Sequence, residues 1–543
     1  MATDNKYDRQ LRLWGADGQR RLSESHIVLL KGGPTGTETL KNLVLPGIGK
    51  FTVVDDQLVT PYDVGNNFFV TSESQGKHRA VEVCAALKEL NPDVEGFSVV
   101  SGPVDFLKNN DLTKYSLVVA TELTETQLLE VEVLCKQAQL PIVAARTLGF
   151  TGLLRVCSTP HCVVESKPSP TPAEDIRIAN PFEALQSFSD SVDVASLCDK
   201  DYKHVPYIII LLKQIGKWRA EHDAKPPQTT VQKKEFKEQL KQLARKPWGE
   251  EENLLEAYEN AFLAYVVRGI PEDVEEVLQD PQCKTGICTT STDPFNVNFW
   301  VMARALKEFV ACPSEGNGCL PLSGILPDMT STTDLYIGLQ NVYKKKALAD
   351  AAAIEARVAT ILKEHGRGPG SVSTEEIRTF CKNAYNIHVS KLSSMQQEFD
   401  AKTMNKEDIE MNVMEGVGDH TAQCPLLLYF LWRGCDRFHK KHGRYPGENG
   451  KLELEKGDKD AAELFSLTQT LVGELALPCE LSITMAHAKE FSRYGGCELH
   501  NIASFIGGIA SQEVVKLITH QYKLINNTYI FNGITCTGLV YNF

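Results

Sequence analysis

No run of apolar residues in this 543-residue chain is long enough to cross a bilayer. The longest, such as Val205–Leu212 and Leu426–Trp432, fall well short of the ~20 residues a membrane helix needs. A signal-peptide core is missing as well, because Met1–Arg12 is polar and charged. Nor is there a basic block. Lys+Arg number 57 against 70 Asp+Glu, and the net charge of -13 argues against holding nucleic acid or an anionic membrane by bulk electrostatics. The fifteen cysteines contain no Cys-x-x-Cys pair. The nearest pairs, Cys157/Cys162 and Cys283/Cys288, are spaced too widely for the usual structural zinc site, so no metal site is expected. Cys84 in VEVCAAL and Cys135 in VEVLCKQ stand in apolar context and read as reduced, buried thiols. No internal repeat is visible. These absences point to a soluble, intracellular chain whose partners are proteins.

What is present is an ordinary globular composition, 42% hydrophobic and 23% charged, with a length that suggests about three to four domains. His26–Lys31 (HIVLLK) is short and apolar, as a buried strand is. Gly32-Gly33-Pro34-Thr35-Gly36 breaks it, and TETLKNLVL follows with helical spacing until Pro46-Gly47 stops it. Phe51–Val54 is a second strand, closed by Asp55-Asp56. Gly76–Leu90 places Ala80, Val83, Cys84, Leu87 and Leu90 on one helical stripe, and Leu117–Ala120 and Ile142–Ala145 are further short strands. Strand, crossover helix, strand is the grammar of a parallel α/β sheet. After the connector SKPSPTPAED, long helical patterns take over at Asn298–Ala311, Leu335–Lys363 and Leu426–Lys441. Near the end, Ile502–Ile518 is a helix rich in small residues, and YKLINNTYIFNG has the look of paired strands. The expected organisation is a discontinuous α/β domain, 1–165 plus 488–543, interrupted by a mainly helical insertion, 166–487.

The Gly-rich turn sits where a dinucleotide fingerprint would, after a strand and opening a helix, with Asp55 19 positions beyond Gly36. In G-x-G-x-x-G the first glycine makes the turn, the second admits a phosphate, and the third lets the helix pack on the strand. Ending that frame on Gly36 puts Gly33 in the second slot and Lys31 in the first. A lysine is expected to resist the left-handed backbone the first slot demands, and Pro34 removes an N–H donor from the cradle. Asn66 and Asn67 bring no cation, the loop TELTETQ offers Glu122 and Glu125 but no aspartate, and Lys77 alone reads as solvated. The scaffold is that of a nucleotide loop; the site is degenerate.

YDRQLRLWG, ETLKNLVLPGIGKFTVVDD and FIGGIASQEVVKLI resemble the adenylation fold of ubiquitin-activating-type enzymes. Active members carry an intact Gly-rich loop, an Asp-x-Asp, an Asn-x-x-Arg-Gln clamp and a later Asp-Asn-x-x-Ala-Arg. Here those slots hold Lys31, Asp55-Asp56-Gln57, Asn66-Asn67 and TELTETQ, which resembles the inactive half of a paired enzyme. LPDMTSTTDLYIGLQNVYKKKALADAAAI, VNFWVMARALKEFVA and DRFHKKHGRYPG narrow the resemblance to regulatory subunits of neddylation-modifier activating enzymes.

That resemblance implies a catalytic partner subunit that binds ATP and Mg2+ and carries the thioester cysteine, with this chain binding no cofactor of its own. It further implies a ubiquitin-like modifier and a conjugating enzyme as partners of the complex, without nucleic acid or membrane, in cytoplasm and nucleus. Arg9 would reach across the dimer to the partner's ATP, a task suited to a permanently charged guanidinium. Pro327, Asp328, Met329, Tyr336, Ile337, Leu339 and Gln340 would face the partner. Gly507 and Gly508 permit close helix packing, inside the chain or against that partner. Cys283 and Cys288 lie in no motif of the family's catalytic cysteine. The competing readings are a regulatory subunit for another modifier such as SUMO, a self-sufficient adenylating homodimer, an NAD oxidoreductase and a pure adaptor.

Overall fold

The computed structural model describes residues 6–167, 174–414, 425–448, 454–477 and 481–543. They fall into two units, Met1–Val163 with Val389–Phe543, and Val164–His388.

The first unit is built on an eight-stranded sheet. After helix α1 (Asp8–Glu24) come β1 (His26–Leu30), α2 (Pro34–Val44), β2 (Lys50–Val54), α3 (Pro61–Asn66), α4 (Arg79–Lys88) and β3 (Glu95–Val99). There follow α5 (Pro103–Asn109), β4 (Leu117–Ala120), α6 (Glu125–Gln137), β5 (Ile142–Leu148) and β6 (Thr151–Cys157). The chain re-enters this unit and adds α7 (Pro425–His442), α8 (Leu454–Leu475), α9 (Met485–Tyr494), α10 (His500–Thr519), β7 (Thr528–Asn532) and β8 (Thr537–Tyr541). The strand order is β8-β7-β6-β5-β4-β1-β2-β3. The five from β3 to β5 run parallel, while β6, β7 and β8 are antiparallel. The C-terminal strands therefore complete the sheet begun by the N-terminal half.

The alternation of side chains along each strand sorts the core into two faces. Ile27, Leu29, Phe51, Val53, Leu117 and Val119 point toward α2, α4 and α10. Val28, Leu30, Val54, Val118 and Ala120 point toward α5 and α6. Three strands of the sheet escape recognition in the sequence: only β7 lies within YKLINNTYIFNG, and its hairpin partner β8 falls beyond that segment. β3 (EGFSV) is an edge strand with a glycine and exposed positions, and β6 (TGLLRVC) carries Gly152 and Arg155 inside it.

The insertion ends much earlier than residue 487. The described residues between 389 and 487 belong to the unit of the sheet, because α7, α8 and α9 share a core with Leu148, Ile530, Tyr541 and Phe543. Buried ion pairs add to the attachment: Arg146 on β5 makes a two-pronged pair with Asp436 on α7, at 2.7 and 2.6 Å, and Arg155 on β6 pairs with Glu398. The helical composition is the same on both sides of residue 389, so the boundary is set by these distant contacts. Within Val164–His388, the helices include Tyr207–Glu221, Pro294–Ala311 and Thr333–Glu364, with a core around Trp218, Phe236 and Tyr343.

Helix α10 is long and apolar enough to cross a membrane by length and composition, yet 61% of its apolar window is buried inside the protein. It lies on α2, and Gly507 makes the approach possible: a Cβ there would stand 2.9 Å from Glu38 Cβ and 2.9 Å from the backbone N of Thr39. Gly507→Ala is thus expected to destabilise the fold by about 1–3 kcal/mol. At Gly508 the nearest atom is 4.0 Å away, so Gly508→Ala should be neutral or gain up to about 1 kcal/mol of helix propensity. Chemical denaturation of the two variants measures this contrast.

Candidate functional site

The turn between β1 and α2 keeps all three geometric demands of a nucleotide loop. Lys31 adopts φ 69°, contrary to the expectation that lysine would resist it. The conformation is held by its backbone N–H, which donates to Val54 O at 2.9 Å, and by its buried ammonium, paired with Asp56 and, at 3.5 Å, Asp55. Gly36 fills the third slot's role. A Cβ there would be 2.8 Å from Leu29 Cδ1 and 2.9 Å from Thr121 Oγ1, so only glycine lets α2 settle on the strands. Gly33, in the second slot, is likewise crowded, but by a carboxylate: its Cβ would stand 1.4 Å from Glu122 Oε1.

The network around this turn centres on Arg79, a residue the sequence does not single out. Arg79 opens α4 and is 3% exposed. Its guanidinium donates to Asp55 Oδ2 at 2.6 Å, Asp63 Oδ1 at 2.9 Å and Glu122 Oε2 at 2.6 Å. Asp63 is placed by a capping box at the start of α3, where Thr60 N–H and hydroxyl donate to it at 2.8 and 2.6 Å. Burial works against the Asp63 charge, but Thr60 and Arg79 hold its carboxyl below the usual range. Asp55, which in this frame would meet a ribose, is fully buried and already accepts from Gly32 N–H at 2.8 Å and Gln57 N–H at 3.0 Å.

Two carboxyls look onto Gly33. Burial pushes Glu122 up despite the pull of Arg79. Glu498, just before α10, accepts from Thr35 and Thr147 hydroxyls at 2.8 and 3.1 Å, and burial together with Glu122 pushes it up to about 7. Asn67 braces the turn, donating to Gly32 O at 2.9 Å, whereas Asn66 only caps its own helix and Lys77 is exposed beside Glu82. Five carboxyls (Asp55, Asp56, Asp63, Glu122 and Glu498) thus surround two cations, Lys31 and Arg79. These residues do not fit a nucleotide polyphosphate.

Arg9 lies apart from this network. It stands on α1, whose entry is fixed by Lys6 on Asn91 and Asp93 (2.7 and 2.6 Å) and by Asn91 on the Tyr7 hydroxyl at 3.1 Å. Tyr7 precedes the helix, and α1 kinks at Gly15, so YDRQLRLW is a short arm ahead of the main helix. Arg9 is exposed and its side chain bonds to no described residue, while its neighbour Arg12 pairs with Asp8 at 2.9 Å.

In the other unit, Leu339 is fully buried in that unit's own core, which removes it from the expected partner-facing set. Met329 and Tyr336 pack partly against the same core. Ile337 is 47% exposed, Asp328 is exposed, and Pro327 and Gln340 are half-buried. Thr330 ties this segment down through Glu256 at 3.0 and 3.1 Å. Burial pushes the Cys283 thiol up to about 12, so it is an inert packing group. All thirteen cysteines among the described residues are free thiols, and no group of three His, Cys, Asp or Glu side chains among the described residues is arranged to hold a metal ion.

Comparison with known proteins gives these features a family. The model of the ThiF family matches residues 7–541. A NEDD8-activating enzyme E1 regulatory subunit from Xenopus laevis is 39% identical, over 99% of this chain and 98% of its own length. The one from Gallus gallus is 38% identical over the same shares, and AXR1 of Arabidopsis thaliana, a NEDD8-activating enzyme E1 regulatory subunit, is 38% identical over 97% and 94%. The chain belongs to the ThiF family, among the NEDD8-activating enzyme E1 regulatory subunits.

Proposed function

We propose that this chain is the non-catalytic half of a heterodimer that activates a ubiquitin-like modifier in the neddylation pathway. The observation that carries this reading is the Glu122 carboxylate lodged against Gly33, where a nucleotide phosphate would approach the backbone; it supports a chain without a nucleotide of its own. ATP and Mg2+ then belong to the catalytic partner. That subunit would adenylate the C-terminal glycine of the modifier with release of pyrophosphate, take it as a thioester on its cysteine and hand it to a conjugating enzyme. This chain contributes the other half of the adenylation dimer. Pro327, Asp328, Met329, Tyr336, Ile337 and Gln340 are its proposed partner-facing residues in the helical unit. Arg9, exposed on the α1 arm and unpaired among the described residues, is the residue we assign to the partner-bound ATP.

The filled cradle weighs against a self-sufficient homodimer and an NAD enzyme alike. ATP–pyrophosphate exchange decides among the readings. The purified chain with ATP, Mg2+ and modifier should give none, and addition of the catalytic subunit should give robust exchange. Exchange by the chain alone would overturn the proposal. In the intact dimer, Arg9→Ala is expected to lower kcat/KM for ATP about tenfold, equivalent to about 1.4 kcal/mol of barrier, without loss of assembly. Unchanged exchange in an assembled Arg9→Ala dimer would remove Arg9 from the site.

A further inference from the structure

In the three-glycine frame, the second glycine exists so that a phosphate oxygen can approach the backbone. At Gly33 that approach has been made from within. A Cβ would lie 1.4 Å from Glu122 Oε1 and 2.5 Å from its carboxyl carbon, so the carboxylate fills the space the missing side chain leaves. Its second oxygen accepts from the buried Arg79 guanidinium at 2.6 Å, as a phosphate oxygen would. The start of α2, with Gly33 as its N-cap and no side-chain cap of its own, lends the positive end of an 11-residue helix. A second carboxyl converges on the spot: Glu498, 7% exposed, places Oε2 3.1 Å from the same Cβ position, and that oxygen has no hydrogen-bond partner among the described residues. Glu122 itself sits at φ 53°, a left-handed backbone that costs a non-glycine residue about 1–2 kcal/mol. The contacts of its side chain offset that strain.

We propose that Gly33 and the start of α2 form an oxyanion site which the chain occupies itself, with Glu122 as a built-in ligand standing in the phosphate position. The site is closed to nucleotide because its anion is already supplied covalently by the loop after β4. The helix terminus, Gly33 and Arg79 are thereby kept as structural elements in a half-domain that has no nucleotide to order them. This inference rests on the chain's own geometry and holds whether or not the pairing with a catalytic subunit is correct.

Glu122→Ala in the full-length chain tests it, because the severed piece is the size of acetate and the Glu122 side chain is 21% exposed, leaving a way in. The variant should lose several degrees of melting temperature at pH 7. Sodium acetate, compared with sodium chloride at equal ionic strength, should restore part of that loss with a saturable dose dependence. Wild type and Glu122→Gln, whose side chains still fill the space, should respond to acetate no more than to chloride. Acetate acting no better than chloride on Glu122→Ala, acting alike on all three proteins, or a Glu122→Ala melting point equal to wild type would each overturn the proposal. Should Glu122→Ala fail to accumulate folded, the yield of refolding from urea across the two salt series gives the same decision: recovery rising with acetate alone supports the built-in ligand, and recovery flat in acetate overturns it.

Discussion

Arg79→Met is expected to remove about 3–5 kcal/mol of folding stability at pH 7, the usual effect of taking one partner out of a buried ion pair. Against a typical domain stability of about 5–15 kcal/mol, this is the difference between a robust and a marginal protein. The size follows from how many charges one guanidinium holds. Asp55, Asp63 and Glu122 come from three separate segments, each within 2.9 Å of an Arg79 nitrogen, and the first two have almost no access to water. Methionine retains the volume and removes the charge, so the loss reports electrostatics rather than a cavity. Arg79→Lys should recover only part of the stability, because a single ammonium cannot reach three carboxylates at once. The pH dependence identifies the mechanism. Without Arg79 the Asp63 and Glu122 carboxyls bind protons more readily in the native state, so the gap between wild type and Arg79→Met should narrow as pH falls from 7 toward 5. Urea denaturation at both pH values measures it. A gap below about 1 kcal/mol at pH 7, or one that widens on acidification, would show that Arg79 does not hold this centre together.

How much of this was legible in the sequence depended on range. The turn from β1 into α2 and the acid ending β2 are local features, and the spacing of Gly33, Gly36 and Asp55 locates the cradle correctly. Backbone propensity alone argues against a left-handed Lys31. Its left-handed conformation is sustained by Asp55 and Asp56 at the end of the neighbouring strand, a contact no local rule contains. Arg79 escaped notice for the same reason. It lies 24 residues from Asp55 and 43 from Glu122, and in QGKHRA it looks like an ordinary helix start. The available signal was chemical: Asp55 closing a buried strand and Asp63 in a capping box both require a cation, and KHRA is the next basic cluster along the chain. Glu498 is beyond any such argument, since its hydrogen-bond partner Thr35 is 463 residues away. The re-entry of the chain at residue 389 was hidden in turn by composition, because helices that cover a sheet and helices that cover each other bury similar stripes.

Glu498 gives the second large effect, and its sign is opposite to that of most carboxylates. Burial and the facing Glu122 raise it from 4.5 to about 7, with the Thr35 and Thr147 hydroxyls and Arg79 pulling weakly the other way. Between these two values the native protein holds a proton that the unfolded chain has released. Stability is therefore greatest below about pH 4.5 as far as this group is concerned, and falls as pH rises to about 7. The shift corresponds to at most about 3 kcal/mol. Glu122 is raised as well and adds in the same direction. His26 and His487, lowered by burial, act oppositely, losing stability as pH falls through 6.5, so the total curve mixes the two. Subtracting a matched variant isolates the carboxyl. Glu498→Gln keeps an acceptor for Thr35 and Thr147 and presents an uncharged amide toward Glu122 at every pH. It should match wild type near pH 5 and exceed it by about 2–3 kcal/mol at pH 8. A difference between the two proteins that stays constant from pH 5 to pH 8 would mean that Glu498 carries its charge throughout. The repulsion within the carboxyl pair over Gly33 would then be relieved by something other than protonation of Glu498.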